Sequence, residues 1–143
     1  MTSRRTYIGG TAAERLRADP LRFVVAGIAG ITVVSGLIQV VLPGLVLDLL
    51  GASSTPTTRH FFGIVGMFMA VIGALTLQAL MTRSTPSYVI GWAALQKLAA
   101  FVAVTVGVVH DLFSVIALPV ALFDLLTAVL AALLWRRLRS EST

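Results

Sequence analysis

The sequence has no cysteine. Disulfides, thiolate nucleophiles and cysteine-ligated metal centres are therefore excluded. Charge is also scarce. Only 12% of the 143 residues are Asp, Glu, Lys or Arg, about half the share of an ordinary soluble domain. Acids are the rarer sign, 6 against 11 bases. No glycine loop with a following lysine and serine is present to cradle phosphates, because "GIAG" and "GIVG" lie inside apolar runs and serve packing. No serine, histidine and acid can be brought to one depth as a hydrolytic set, and no internal repeat is visible. The net charge of +5 does not point to nucleic acid. The basic residues stand at the ends of apolar runs, where anionic lipid is the fitting partner.

What fills the sequence instead is apolar residue, 57% of it. So much apolar surface must face something other than water, which predicts an integral membrane protein. Four runs, about 21–42, 60–81, 88–109 and 112–135, each hold roughly 20 residues, enough to cross a ~30 Å hydrocarbon core as helices. The predicted fold is all-α, a four-helix membrane bundle over 20–135. A basic N-terminal segment over 1–19 precedes it and a basic tail over 136–143 follows. The first run is full length with no cleavage site behind it, so it reads as a span rather than a signal peptide.

Asp19-Pro20, Thr55-Pro56 and Thr85-Pro86 each place a capping side chain before a proline. Asp111 is a candidate cap for the fourth helix. Thr11 and Glu14 fit a capping box, which predicts a short basic helix over 12–18 lying on the membrane surface. Pro43-Gly44 ends the first span, and the segment 45–51 is too short to cross. Arg4, Arg5, Arg15, Arg17, Arg22, Arg83, Arg136, Arg137 and Arg139 fall on one side of the bundle and Arg59 on the other. The positive-inside rule then places both termini in the cytoplasm, with Tyr88, Trp92 and Trp135 as the aromatic belt on that side.

Helices adhere in lipid through small residues and polar contacts. The expected contact faces carry Ala26, Gly27, Gly30 and Ser35 in the first span and Gly63, Gly66, Ala70, Gly73 and Ala74 in the second. In the third they are Ala93, Ala94 and Ala100 around Lys97, and in the fourth Ala117, Ala121, Ala128 and Ala131 around Asp124. Lys97 lies nine residues from Tyr88, about 13 Å, and Asp124 eleven from Trp135, about 16 Å. Both are near the midplane, on helices that a short loop packs side by side. A lone charge there costs roughly 2.5–3.5 kcal/mol, so the two are expected to pair. Gln96 and Thr127 are near enough to join them. Pro119 frees a carbonyl and is expected to kink the fourth helix, opening a cavity beside the pair. The pair is either an ionic lock or the polar floor of a site. The candidate catalytic groups are Lys97 and Asp124, and the candidate ligand-binding residues are these two with Gln96 and Thr127.

A second cluster is expected at the opposite face: Asp48, Arg59, His60, His110 and Asp111. The only two histidines of the chain fall there. Bis-histidine haem or a metal with Asp48 or Asp111 as third ligand are the sharp alternatives. A wet interfacial cluster with Arg59 paired to Asp48 or Asp111 is the expected arrangement, so no metal and no cofactor are predicted, haem or a quinone being the lesser alternatives.

The stretches "RFVVAGIAGITVVSGLIQVVLP" and "TRHFFGIVGMFMAVIGAL", with the aspartate of "ALFDLLTAVL", resemble the DoxX-like group of small bacterial four-helix membrane proteins. The resemblance implies a bacterial plasma membrane location and membrane redox chemistry linked to quinone. The expected function is a small inner-membrane protein that binds a hydrophobic ligand, or an accessory subunit of a larger membrane complex. The alternative is an intramembrane enzyme doing redox or acid–base chemistry on a lipid, quinone or isoprenoid-like substrate with the same pair, and the third reading is a proton pathway. The expected partners are membrane lipids, a larger complex or further copies of the chain.

Overall fold

A computed structural model describes residues 11–141. The segment 1–10, with Arg4 and Arg5, and the last two residues lie outside the described residues. The fold is all-α: α1 (Ala12–Ala18), α2 (Pro20–Val41), α3 (Pro43–Leu49), α4 (Pro56–Met81), α5 (Ser87–Val109) and α6 (Leu118–Ser140), with a 3₁₀ turn at Val115–Ala117. Four of these elements are long and apolar enough to cross a membrane: α2, α4, α5 and the stretch Val115–Ser140. Apolar side chains such as Phe23, Phe68, Trp92 and Leu126 stand outward along all four, as they must where the surrounding solvent is hydrocarbon.

The helix starts follow local chemistry. The Thr11 side chain accepts from Glu14 N while Glu14 accepts from Thr11 N, completing the capping box of α1. Asp19 caps α2 and Thr55 caps α4, each ahead of a proline in the first turn. The expected cap at Thr85 is not made. Helix α5 starts at Ser87 with Pro86 in the cap position and no side-chain cap bond, and the Thr85 hydroxyl instead accepts from Arg22 Nη1 at 3.4 Å. Asp111 does not cap the fourth helix either. It ends α5 in the left-handed region, φ 57°. Leu112 N bonds to Gly107 O at 2.8 Å and Asp111 N to Val108 O at 3.1 Å, the bond pattern of a Schellman C-cap. Ser114 opens the following turn. Pro119 then sits in the first turn of α6, where its missing N–H costs nothing, so it leaves the helix interior unkinked. The fourth span accordingly runs later than 112–135, and the residues assigned to the tail continue the helix to Ser140.

The bundle is two tight pairs. Helix α2 packs along α4, and α5 along α6, with much slighter contact between the pairs. In the first pair the main chains meet. A Cβ built on Gly36 would stand 2.5 Å from Gly66 O and 2.7 Å from Ala70 N, and one on Gly66 would stand 2.6 Å from Gly36 O. This corrects the expected face of α2. Gly27 and Gly30 have nothing within 4 Å of such a Cβ, and the buried stripe is Val25, Ala29, Thr32 and Gly36. Ala74 likewise stands outside the buried stripe of α4. In the second pair the expected alanine faces are the buried ones: Ala93 and Ala94 on α5, with Ala121, Ala128 and Ala131 on α6.

The pairs are joined at three levels. At the arginine-rich end, Val25, Leu80, Ile90, Ala94, Ala131, Leu134 and Leu138 form one apolar cluster. Beyond it Asp19 pairs with Arg22 at 3.3 Å and with Arg137 at 3.1 Å, and Glu141 with Arg137 at 3.2 Å and Arg22 at 3.7 Å. At the histidine end, Ser114 N bonds to Leu50 O at 2.9 Å. Gly51 sits beside this bond with φ 66°, and a Cβ there would come within 2.8 Å of Ser114 Cβ. Only glycine satisfies both demands.

Candidate functional site: a buried ion pair, a cavity and a groove

Lys97 is the eleventh residue of α5, and Asp124 is the seventh of α6. Both point between the helices. Lys97 Nζ stands 2.7 Å from Asp124 Oδ1, and the two side chains are 7% and 8% exposed. That is a charge-assisted hydrogen bond at its ordinary length. Lys97 Nζ also lies 5.9 Å from the centroid of the Phe123 ring, close enough for a cation–π contribution. The expected pair therefore exists.

Its expected helpers are arranged differently. The Thr127 hydroxyl donates to Phe123 O, one turn back on its own helix, at 2.8 Å. No hydrogen bond joins Gln96 or Thr127 to the pair among the described residues. Both instead line, with Lys97, a cavity of about 30 Å³ where the four long helices meet. Thr32 of α2 and Thr76 of α4 line it from the other side. Both threonines are buried, and the sequence reading passed over them. The signal was present: a hydroxyl residue on each apolar run is a polar group that must find a partner in lipid. Pro119 has no part in this cavity, which arises where the two helix pairs meet loosely.

The size of the cavity decides what it admits. Sites for organic ligands measure about 300–1,000 Å³. At about 30 Å³ the cavity beside Lys97 admits no quinone ring and no lipid headgroup in this conformation.

A larger space lies on the far side of the same helices. A groove of about 550 Å³ runs between α5 and α6, lined by Tyr88, Trp92, Leu95 and Leu98 from one helix and Leu125, Val129, Ala132 and Trp135 from the other. Gly91 makes it. A Cβ there would stand 3.0 Å from the Trp135 Nε1, so the indole of α6 lies on the backbone of α5. Arg139, one turn on, stacks over the same indole at 5.3 Å. Trp92 and Trp135 are the only tryptophans of the chain, and both line the groove.

The cluster at the histidine end is looser than expected. Asp48, Arg59, His60, His110 and Asp111 are all exposed. Arg59 Nε donates to Ser54 Oγ at 2.9 Å, and no ion pair links it to Asp48 or Asp111 among the described residues. His60 meets Phe61 edge-on at 6.1 Å, and His110 is the C-cap of α5. Among the described residues no three His, Asp or Glu side chains gather as metal ligands. Asp48 or Asp111 therefore does not complete a three-ligand site with the histidines.

The network of Asp19, Arg22, Arg137 and Glu141 was not foreseen. Asp19 and Arg137 stand 118 positions apart, and no local pattern marks the members as partners. No family model, curated protein or solved structure matches the chain.

Proposed function

We propose that this is a small multi-pass membrane protein that holds a hydrophobic chain, lipid- or isoprenoid-like, in the groove between α5 and α6. The observation that carries this reading is the groove itself: about 550 Å³, apolar along its length and aromatic at one end. A volume of that order suits a ligand. In this reading the Lys97–Asp124 bond is the fastener that keeps α5 and α6 at the separation the groove needs, rather than the reacting centre. The arginine-rich end faces the cytoplasm of a bacterial cell, following the positive-inside rule. Membership of the DoxX-like group belongs to the same proposal, and a quinone tail is one chain the groove would take.

The two tryptophans supply the test. The full chain is reconstituted in phosphatidylcholine vesicles and titrated with brominated-chain phospholipid and, separately, with a long-tailed quinone, both of which quench indole fluorescence. Quenching should saturate at a low mole fraction of one of them. Ala132→Leu, which narrows the groove, should turn that curve into simple collisional quenching. Collisional quenching by both probes in the unaltered protein would end the proposal.

A further inference from the structure

We propose that the cavity at the meeting of the four long helices is a water-binding site, holding one or two water molecules against Lys97. The inference is independent of the groove and its occupant. Three observations carry it. The Thr32 hydroxyl is buried, with the residue 4% exposed, and its Oγ1 has no hydrogen-bond partner. Thr32 lines the cavity. An orphaned hydroxyl in hydrocarbon is costly, and water is the usual remedy for a buried polar group. Lys97 Nζ carries three N–H donors, and the bond to Asp124 takes one. The cavity measures about 30 Å³, where one water needs about 10–15 Å³.

The lining chemistry fits water better than any ion. Thr76 and Thr127 donate their hydroxyl protons to Ile72 O and Phe123 O, each at 2.8 Å. Both residues line the cavity together with Gln96 and Lys97, so hydroxyl acceptors and N–H donors both belong to its lining residues. A water molecule both donates and accepts, so it matches this mixed set. A bare cation would meet the lysine ammonium, and an anion would meet the neighbouring Asp124 carboxylate. Every long helix supplies polar lining: Thr32 from α2, Thr76 from α4, Gln96 and Lys97 from α5, and Thr127 from α6. Water there bridges the two helix pairs between the apolar cluster at one end and the Ser114–Leu50 bond at the other. It also gives these residues a common purpose, which the Lys97–Asp124 bond alone does not.

The test uses the full chain in lipid nanodiscs, perdeuterated but with protonated threonine methyl groups. Water-selected NMR transfer should reach the methyls of both Thr32 and Thr76. Thr32→Val, equal in shape and lacking the hydroxyl, should lower Tm by about 4 °C, the loss of one net hydrogen bond. Without water the same change removes an unsatisfied hydroxyl and Tm rises. No transfer to the two methyls, or a Tm that is unchanged or raised in Thr32→Val, overturns the site. Transfer together with a lowered Tm supports it.

Discussion

The α2–α4 pair and the α5–α6 pair meet one demand by different means. Lipid gives helices no hydrophobic reason to adhere, so close packing and polar bonds must suffice. In α2–α4 the main chains touch, with Gly36 against Gly66 and no room for a single added carbon. In α5–α6 alanines bring the helices together around one ion pair, Lys97 to Asp124 at 2.7 Å. The first contact is defined by size and is indifferent to charge. The second is defined by charge and tolerates changes of shape, provided both partners change together.

The largest expected effect breaks the charged pair in half. Lys97→Ala or Asp124→Ala leaves an uncompensated partner in the span and should cost about 3 kcal/mol or more in thermal unfolding in detergent. The double change Lys97→Met, Asp124→Leu removes both charges at similar volume and should recover most of the loss. Additive losses would show that the bond contributes nothing, and the contrast between the pairs would vanish.

The next effect probes the size-defined contact. Gly36→Ala or Gly66→Ala should cost about 1–3 kcal/mol by forcing α2 and α4 apart. No second substitution that merely restores polarity should rescue it. Gly27→Ala and Gly30→Ala, on the open side of α2, should be nearly silent in the same measurement, because nothing stands within 4 Å of the added carbon. Equal losses at Gly27 and Gly36 would mean that glycine matters for the helix itself and not for the contact.

These two sets of residues also show how far the sequence could be read. The number of spans, the capping box of α1, the caps at Asp19 and Thr55, and the Lys97–Asp124 bond all follow from local pattern and depth. Depth works for the ion pair because a charge in hydrocarbon has few alternatives. The contact face of α2 did not follow, because small residues lie on more than one side of that helix. Composition cannot say which side meets protein and which meets lipid. Pro119 and Asp111 were misjudged for a related reason. Each suits two positions, helix interior or first turn for the proline, cap or helix end for the aspartate. Where the chain bends, which only the packed loop decides, selects between them. The cavity lining was legible only in part. Gln96 and Thr127 are close in sequence to the charges, whereas Thr32 and Thr76 come from the other helix pair.

The smallest effect concerns the surface network at the arginine-rich end. Asp19→Asn keeps an acceptor for the α2 cap but loses the bonds to Arg22 and Arg137. It should cost about 0.5–1 kcal/mol, and less at high salt, because these groups are partly or largely wet. Asp19→Ala also removes the cap and should cost about 1 kcal/mol more. A loss as large as that of the buried Lys97–Asp124 pair would place the main fastener of the molecule at its end instead of between the helices.

Asp19 and Arg137 are 118 residues apart, and that separation has a consequence in time. At about 5–20 residues per second of synthesis, Asp19 and Arg22 emerge roughly 6–24 s before Arg137 exists. During that interval Arg22 has Asp19 beside it and, once α4 is made, the Thr85 hydroxyl, which accepts from it at 3.4 Å. Once Arg137 and Glu141 arrive, the start of α2 and the end of α6 are tied together, so this end of the bundle closes only after all four long helices have been made.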